Sequence, residues 1–190
     1  MKSFQDHFVS RLLRRFREDR AGASAIEFVL LLPFLFLLLA GTVDLGQGLT
    51  VQRKMNQIAS TTAEIVSMQS SWTHSDISTI LSGVSSILEP YDLTGLTILI
   101  CVVNIDTNNK ATVVWSAAYH TTALPAGQAS PIDIPKDLRE DDTQMIVTRV
   151  QYKLETVFSA LFERFTGIHG YEYDRHFLTR PRNGNTISYS

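Results

Sequence analysis

Residue types that could do chemistry are few in this sequence, and most are badly placed for it. His74, His120, His169 and His176 form no two-histidine pair at i, i+4 and no close cysteine–histidine set, so no zinc-ligand pattern is present. Gly22-Ala23-Ser24-Ala25-Ile26 starts like a nucleophile elbow but lacks its closing glycine. Asp76-Ile77-Ser78-Thr79-Ile80 begins like an Asp-x-Ser-x-Ser metal motif, with Ile80 where the second serine should stand. The single cysteine, Cys101, allows no intrachain disulfide, and its apolar surroundings Thr97–Val103 predict a buried, inert thiol. The chain is therefore read as a non-enzyme, with no metal and no cofactor. One carboxylate still asks for a reason. Glu27 stands five residues after Gly22 and four after Ala23, at the head of an apolar run. A charge at a bilayer centre costs roughly 2.5–3.5 kcal/mol on insertion scales.

The element that positions Glu27 is that run. No charge occurs from Phe28 to Val43, and extension back to Ala23 adds Glu27 alone. About 20 residues cross a bilayer as a helix, so 23–44 reads as one transmembrane span, with Pro33 expected to kink it. Six basic and three acidic side chains precede residue 23, while the rest of the chain is acidic and brings the net charge to −2. Positive charge ahead of the run predicts a cytoplasmic N-terminus, with everything after the span on the far side. Residues 1–22 read as a basic leader. The acidic remainder has no basic stripe, which argues against a nucleic-acid partner.

Beyond the membrane the helix is expected to continue through 45–71 as an amphipathic segment. Leu45, Leu49, Gln52, Met55, Ile58, Thr62 and Ile65 recur at helical spacing. Asp76 reads as the N-cap of a short helix carrying Ile77, Ile80, Leu81, Val84 and Leu88. Leu96–Ile105, the turn Asp106–Lys110 and Ala111–Ser116 form the best hairpin signal. Residues 121–143 read as a surface loop, Met145–Leu154 as a third strand, Val157–Phe165 as a short helix, Tyr171–Thr179 as a fourth strand and Pro181–Ser190 as a loose tail. Trp72 and the 121–143 loop are the exposed candidates for ligand contact. The fold class is α+β: a long N-terminal helix, transmembrane then amphipathic, packed on a small antiparallel sheet, with 72–190 as the extramembrane domain.

Gly22-Ala23-x-x-x-Glu27-Phe28, with basic residues before it and an apolar helix after, resembles the processing site of type IV prepilins, in particular the TadE-like pseudopilins of the Tad (tight adherence, Flp) pilus. Leu31-Leu32-Pro33 and Gly41-Thr42-Val43-Asp44-Leu45-Gly46 are similar to the same family, and more sparsely so are Val114-Trp115-Ser116, Val150-Gln151-Tyr152 and Arg180-Pro181-Arg182. The resemblance implies cleavage after Gly22 by a prepilin peptidase, leaving Ala23 as the new N-terminus with Glu27 and Phe28 as its fifth and sixth residues. It also implies a second minor pilin, a major pilin and an inner-membrane assembly platform as partners, a single-pass bacterial inner-membrane location with a periplasmic domain, and a role in pilus assembly and surface adherence. Val29, Leu30, Leu35, Leu38 and Leu45 are the expected helix-packing positions, though lipid contact selects the same residues. Two other readings stand beside it. One is an uncleaved signal-anchored periplasmic binding or sensor domain; the other is a secreted protein cut by signal peptidase near Leu39-Ala40-Gly41-Thr42.

Overall fold

Helix α1 runs from Ala21 to Ser67 and continues through Pro33. The computed structural model describes residues 21–140, 142–156, 159, 167 and 170–190. Most of the expected leader and of the expected Val157–Phe165 helix lie outside the described residues. The chain divides into two compact units after Leu45, and α1 contributes residues to both.

In the second unit α1 is followed by a two-residue strand β1 (Ser71–Trp72), helix α2 (His74–Ser85), a hairpin of β2 (Thr97–Ile105) and β3 (Ala111–Tyr119), then β4 (Thr143–Leu154), β5 (Tyr171–Thr179) and a short β6 (Ser188–Tyr189). The main sheet has the order β3-β2-β4-β5 and is antiparallel throughout. This is the expected α+β class.

Alternation along β2 shows how the sheet is used. Ile98, Ile100 and Val102 share one buried cluster with Val51, Met55, Ile58, Ala59, Ala63 and Val66 of α1. Cys101, Val103 and Ile105 belong to a second cluster, which Ile134 of the 121–143 region completes. A strand buried on both faces reads as a continuous apolar run, and Thr97–Ile105 does. The hairpin turn is held by Asp106, whose Oδ1 accepts the N–H groups of Asn108 (2.9 Å) and Lys110 (2.8 Å).

Five expectations need correction. The α1 residues of the domain core begin at Val51; Leu45 and Leu49 are 69% and 57% exposed. Thr73, not Asp76, caps α2: its hydroxyl accepts from the Asp76 N–H, and the Asp76 carboxylate accepts from the Thr73 N–H, a reciprocal capping box. The Thr73 hydroxyl, which also donates to the Asp76 carboxylate (2.7 Å), and the Thr73 N–H together hold that carboxyl below its usual range. Trp72 is buried, its indole N–H donating to the Val66 carbonyl at 3.0 Å. The 121–143 region is more than a surface loop, since Ile134 is buried and Ala129 bridges to Thr112.

The tail, finally, is not loose. The Arg182 N–H donates to the Ser67 carbonyl at the end of α1 (2.8 Å), and β6 pairs in parallel with β1. Between them Ile187 is 1% exposed, its N–H on the Gln144 side chain (2.7 Å) and its carbonyl accepting the Trp115 indole N–H (2.9 Å). Trp115 stacks on Tyr189 with ring centroids 4.7 Å apart.

Two measurements check this packing. Ile187→Ala should lower unfolding stability by about 2–4 kcal/mol in denaturant titration of the full chain, whereas the exposed Asn185→Ala should change it by less than about 0.5 kcal/mol. Burial pushes the Cys101 thiol from 9.0 up to about 12. A thiol with a raised folded pKa holds its proton more tightly when folded, so its contribution to stability is present below pH 9 and fades above it. Maleimide labelling of Cys101 at pH 8 should therefore run on the order of a thousandfold slower in the folded chain than in denaturant.

Candidate membrane and assembly segment

The first turn of α1 holds Gly22 and Ala23, and the next holds Glu27 and Phe28. Four residues of helix rise about 6 Å, so Glu27 lies one turn along from Ala23 on the same side. Gly22 is helical here, and a Cβ added to it would meet nothing within 4 Å. Among the described residues, no packing calls for glycine at that position. Glycine instead makes the turn cheap to open, by about 1 kcal/mol relative to alanine. Pro33 sits inside the helix and supplies no N–H, so the Val29 carbonyl lacks its i+4 donor.

From Ile26 to Val43, thirteen large apolar side chains are exposed, on all sides of the helix. At about 1.5–3 kcal/mol for each such side chain, leaving them in water would forfeit on the order of 20 kcal/mol, more than a typical domain's whole stability. The segment therefore belongs in lipid, against other apolar helices, or both. Among the described residues, Ser24–Ser67 is the one helix long and apolar enough to cross a membrane. Glu27 is exposed among these apolar neighbours.

After Gly46 the same helix changes character, and burial is confined to one face. Gly48 is a residue whose role the periodicity did not reveal. A Cβ there would lie 2.9 Å from the Tyr173 hydroxyl, so glycine lets the tyrosine of β5 approach the helix backbone. Burial raises the Tyr173 phenol above its usual pKa, with Tyr171 and Tyr91 adding to the shift and Arg175 opposing it.

The scattered histidines gain no shared site. His74 Nδ1 is 2.5 Å from the Tyr189 hydroxyl, and His120 stacks on Tyr119. His169 lies outside the described residues. Among the described residues, no three histidine, cysteine, aspartate or glutamate side chains come together as metal ligands. Arg149 pairs with Asp174 across β4 and β5; that contact lowers the Asp174 carboxyl and raises the arginine, and Gln151 adds a further bond to the same acid. This is a surface cross-strand pair rather than a reactive one.

An α+β domain carried on one lipid-compatible N-terminal helix is the class that fold and segment define. Residues 22–64 match the family model described as TadE-like protein, so over that segment the chain is similar to TadE-like proteins. The match starts at the glycine and contains Ala23, Glu27, Phe28 and Pro33. No curated protein and no solved structure matches the chain.

The buried and exposed faces of α1 after Gly46 predict different responses to substitution. Met55→Ala should cost about 2–4 kcal/mol in unfolding of the full chain in detergent, because Met55 is fully buried. Leu49→Ala should stay within about 0.5 kcal/mol, as an exposed site does.

Proposed function

We propose that the protein is a minor pilin of a Tad-type (Flp) pilus, made as a precursor and cleaved by a prepilin peptidase between Gly22 and Ala23. The observation that carries this reading is the TadE-like match beginning at Gly22, with an acid five residues on and an apolar helix exposed all round behind it. Residues 1–22 are the cytoplasmic leader, 23–44 the inner-membrane span, 45–71 its periplasmic continuation and 72–190 the periplasmic domain. The partners are the peptidase, a second minor pilin, the major pilin and the inner-membrane assembly platform. The function is pilus assembly and, through it, surface adherence.

The chemistry of the cut explains the acid. Hydrolysis of the Gly22–Ala23 bond frees a cationic α-amine one turn from Glu27. At 5–6 Å and an effective dielectric near 20, opposite charges attract by about 3 kcal/mol. That is the size of the penalty for an acid in the membrane, roughly 2.5–3.5 kcal/mol. Amine and carboxylate thus neutralise one another, within a subunit or between neighbours, only after processing. Before processing Glu27 has no such partner from the backbone.

Sequencing the first residues of the membrane-extracted protein tests the reading. The expected start is Ala23. A start near Val43 would mean ordinary signal peptidase, and an intact Met1 an uncleaved anchor; either result defeats the proposal. Gly22→Val should leave membrane insertion unchanged and retain the leader. Glu27→Leu should still be inserted, yet leave the Ala23 amine without its partner and enter sheared pili at least about tenfold less than the parent chain, since a net loss of about 1.4 kcal/mol is tenfold.

A further inference from the structure

Asn183 and Gly184 lie in an exposed segment between two anchors of the C-terminal tail. One anchor is the Arg182 N–H on the Ser67 carbonyl (2.8 Å), and the other is the buried Ile187. Asparagine is among the chemically labile residues, because its carboxamide carbon can be attacked by the backbone nitrogen of the next residue to close a five-membered ring. Attack requires that nitrogen to be sterically open and free of a hydrogen bond.

Six asparagines occur in the chain, and these two conditions separate them. Asn56 lies inside α1 and Asn104 inside β2, where regular backbone bonding fixes the geometry. The nitrogen after Asn108 belongs to Asn109 and donates to the Asp106 carbonyl (2.9 Å). The nitrogen after Asn109 belongs to Lys110 and donates to Asp106 Oδ1 (2.8 Å). After Asn185 comes Thr186, whose branched Cβ crowds the approach to its nitrogen. After Asn183 comes Gly184, in the left-handed region at φ +83°, with nothing within 4 Å of where a Cβ would stand. Among the described residues, neither the Gly184 N–H nor the Asn183 carboxamide has a hydrogen-bond partner. Both reacting groups are therefore exposed and unoccupied in the folded chain.

We propose that Asn183 is a site of spontaneous backbone modification, at which the folded chain converts to isoaspartate and aspartate. The Gly184 nitrogen gives its proton to water or hydroxide and bonds to Asn183 Cγ. The C–N bond of the carboxamide breaks, and the nitrogen leaves as ammonia. Water then opens the succinimide, and no oxidant or reductant takes part. Opening at Cγ gives aspartate with an ordinary backbone; opening at the main-chain carbonyl gives isoaspartate, whose backbone runs through Cγ. Either product puts a carboxylate where a neutral side chain stood, one residue from the N–H that closes the last turn of α1. Isoaspartate also lengthens the backbone between Arg182 and Ile187 by one atom, which a short exposed loop absorbs cheaply. The inference does not depend on the pilin reading.

Peptide mapping of the full chain, incubated in detergent at pH 8, provides the test, with electron-transfer fragmentation to tell isoaspartate from aspartate. In the folded chain Asn183 should convert at least about tenfold faster than Asn108 or Asn185. Unfolding in denaturant should change the Asn183 rate by less than about fivefold, because the fold already leaves both groups open. An acidic form should accumulate on isoelectric focusing of the parent chain and of Asn185→Gln. It should be lost in Asn183→Gln, whose longer side chain would have to close a six-membered ring. The proposal fails if Asn183 converts no faster than Asn185, or if denaturant accelerates it beyond that fivefold, which would mean that the fold protects the pair. It fails equally if the acidic form persists in Asn183→Gln. Aspartate without isoaspartate would mean direct hydrolysis in place of ring closure, and would overturn the assigned step.

Discussion

Burial of one face of α1 against β2 and β4 is the contact from which the rest of the domain follows. Val51, Met55, Ile58, Ala63 and Val66 are removed from water together with Ile98, Ile100, Val102, Ile146 and Val150. Each large side chain so buried contributes about 1.5–3 kcal/mol. This part of the helix, with Gly46, Gly48, Thr50, Ser60, Thr61 and Thr62, has weak intrinsic helicity and depends on that packing. Its last turn is then closed from outside. The Trp72 indole satisfies the Val66 carbonyl and the Arg182 N–H satisfies that of Ser67, two of the orphan acceptors every helix end leaves. Because those donors come from β1 and from the C-terminal segment, where the helix stops fixes where both must lie.

Legibility from sequence followed the range of the forces involved. The hairpin was readable because its turn is local: Asp106 bonds to residues two and four positions on. Tyr171–Thr179 was readable as a strand because its residue types suit a sheet edge even without knowing its neighbour. The tail was not readable. Pro181, Gly184 and two asparagines are turn formers, and what orders them is distant in sequence: Ser67, Ser70, Trp115 and Gln144. Thr73 and Asp76 illustrate a narrower failure. Both suit an N-cap, and only the reciprocal bonds decide which is the cap and which the third helical residue.

The packed face of α1 departs from the expected stripe for a different reason. Leu45 and Leu49 share a helical spacing with Met55 and Ile58, but a period of 3.6 residues fits more than one face over a few turns. Val51, Ala59 and Ala63 make the packed face, and small or β-branched residues signal packing less loudly than leucine. Of the candidate site, the residue types and their order were legible, since Gly22, Ala23, Glu27 and Phe28 are contiguous. Helical geometry at Gly22 was not, because an extended, protease-ready segment and a first helical turn have the same sequence.

The apolar part of α1 also shows where specificity in a helical assembly can reside. Leu30, Leu35 and Leu38 are as satisfied by lipid tails as by another helix, so burying them sets no register. Two features of this segment are not interchangeable in that way. One is the Val29 carbonyl, left without its i+4 donor by Pro33; the other is the carboxylate of Glu27, two residues earlier. Both lie near the same end of the span, and a hydrocarbon environment penalises each until a donor is supplied. Under the proposed cleavage after Gly22, the amine freed at Ala23 would be such a donor for Glu27, with its position fixed to one residue. Sliding a neighbouring helix by one turn, about 5.4 Å, would leave leucine contacts almost unchanged but would separate amine from acid if the pair forms between subunits. If it forms within one subunit, the acid is neutralised before assembly and sets no register. The apolar residues therefore hold the helix in place, and whether the register is specified turns on which amine Glu27 meets.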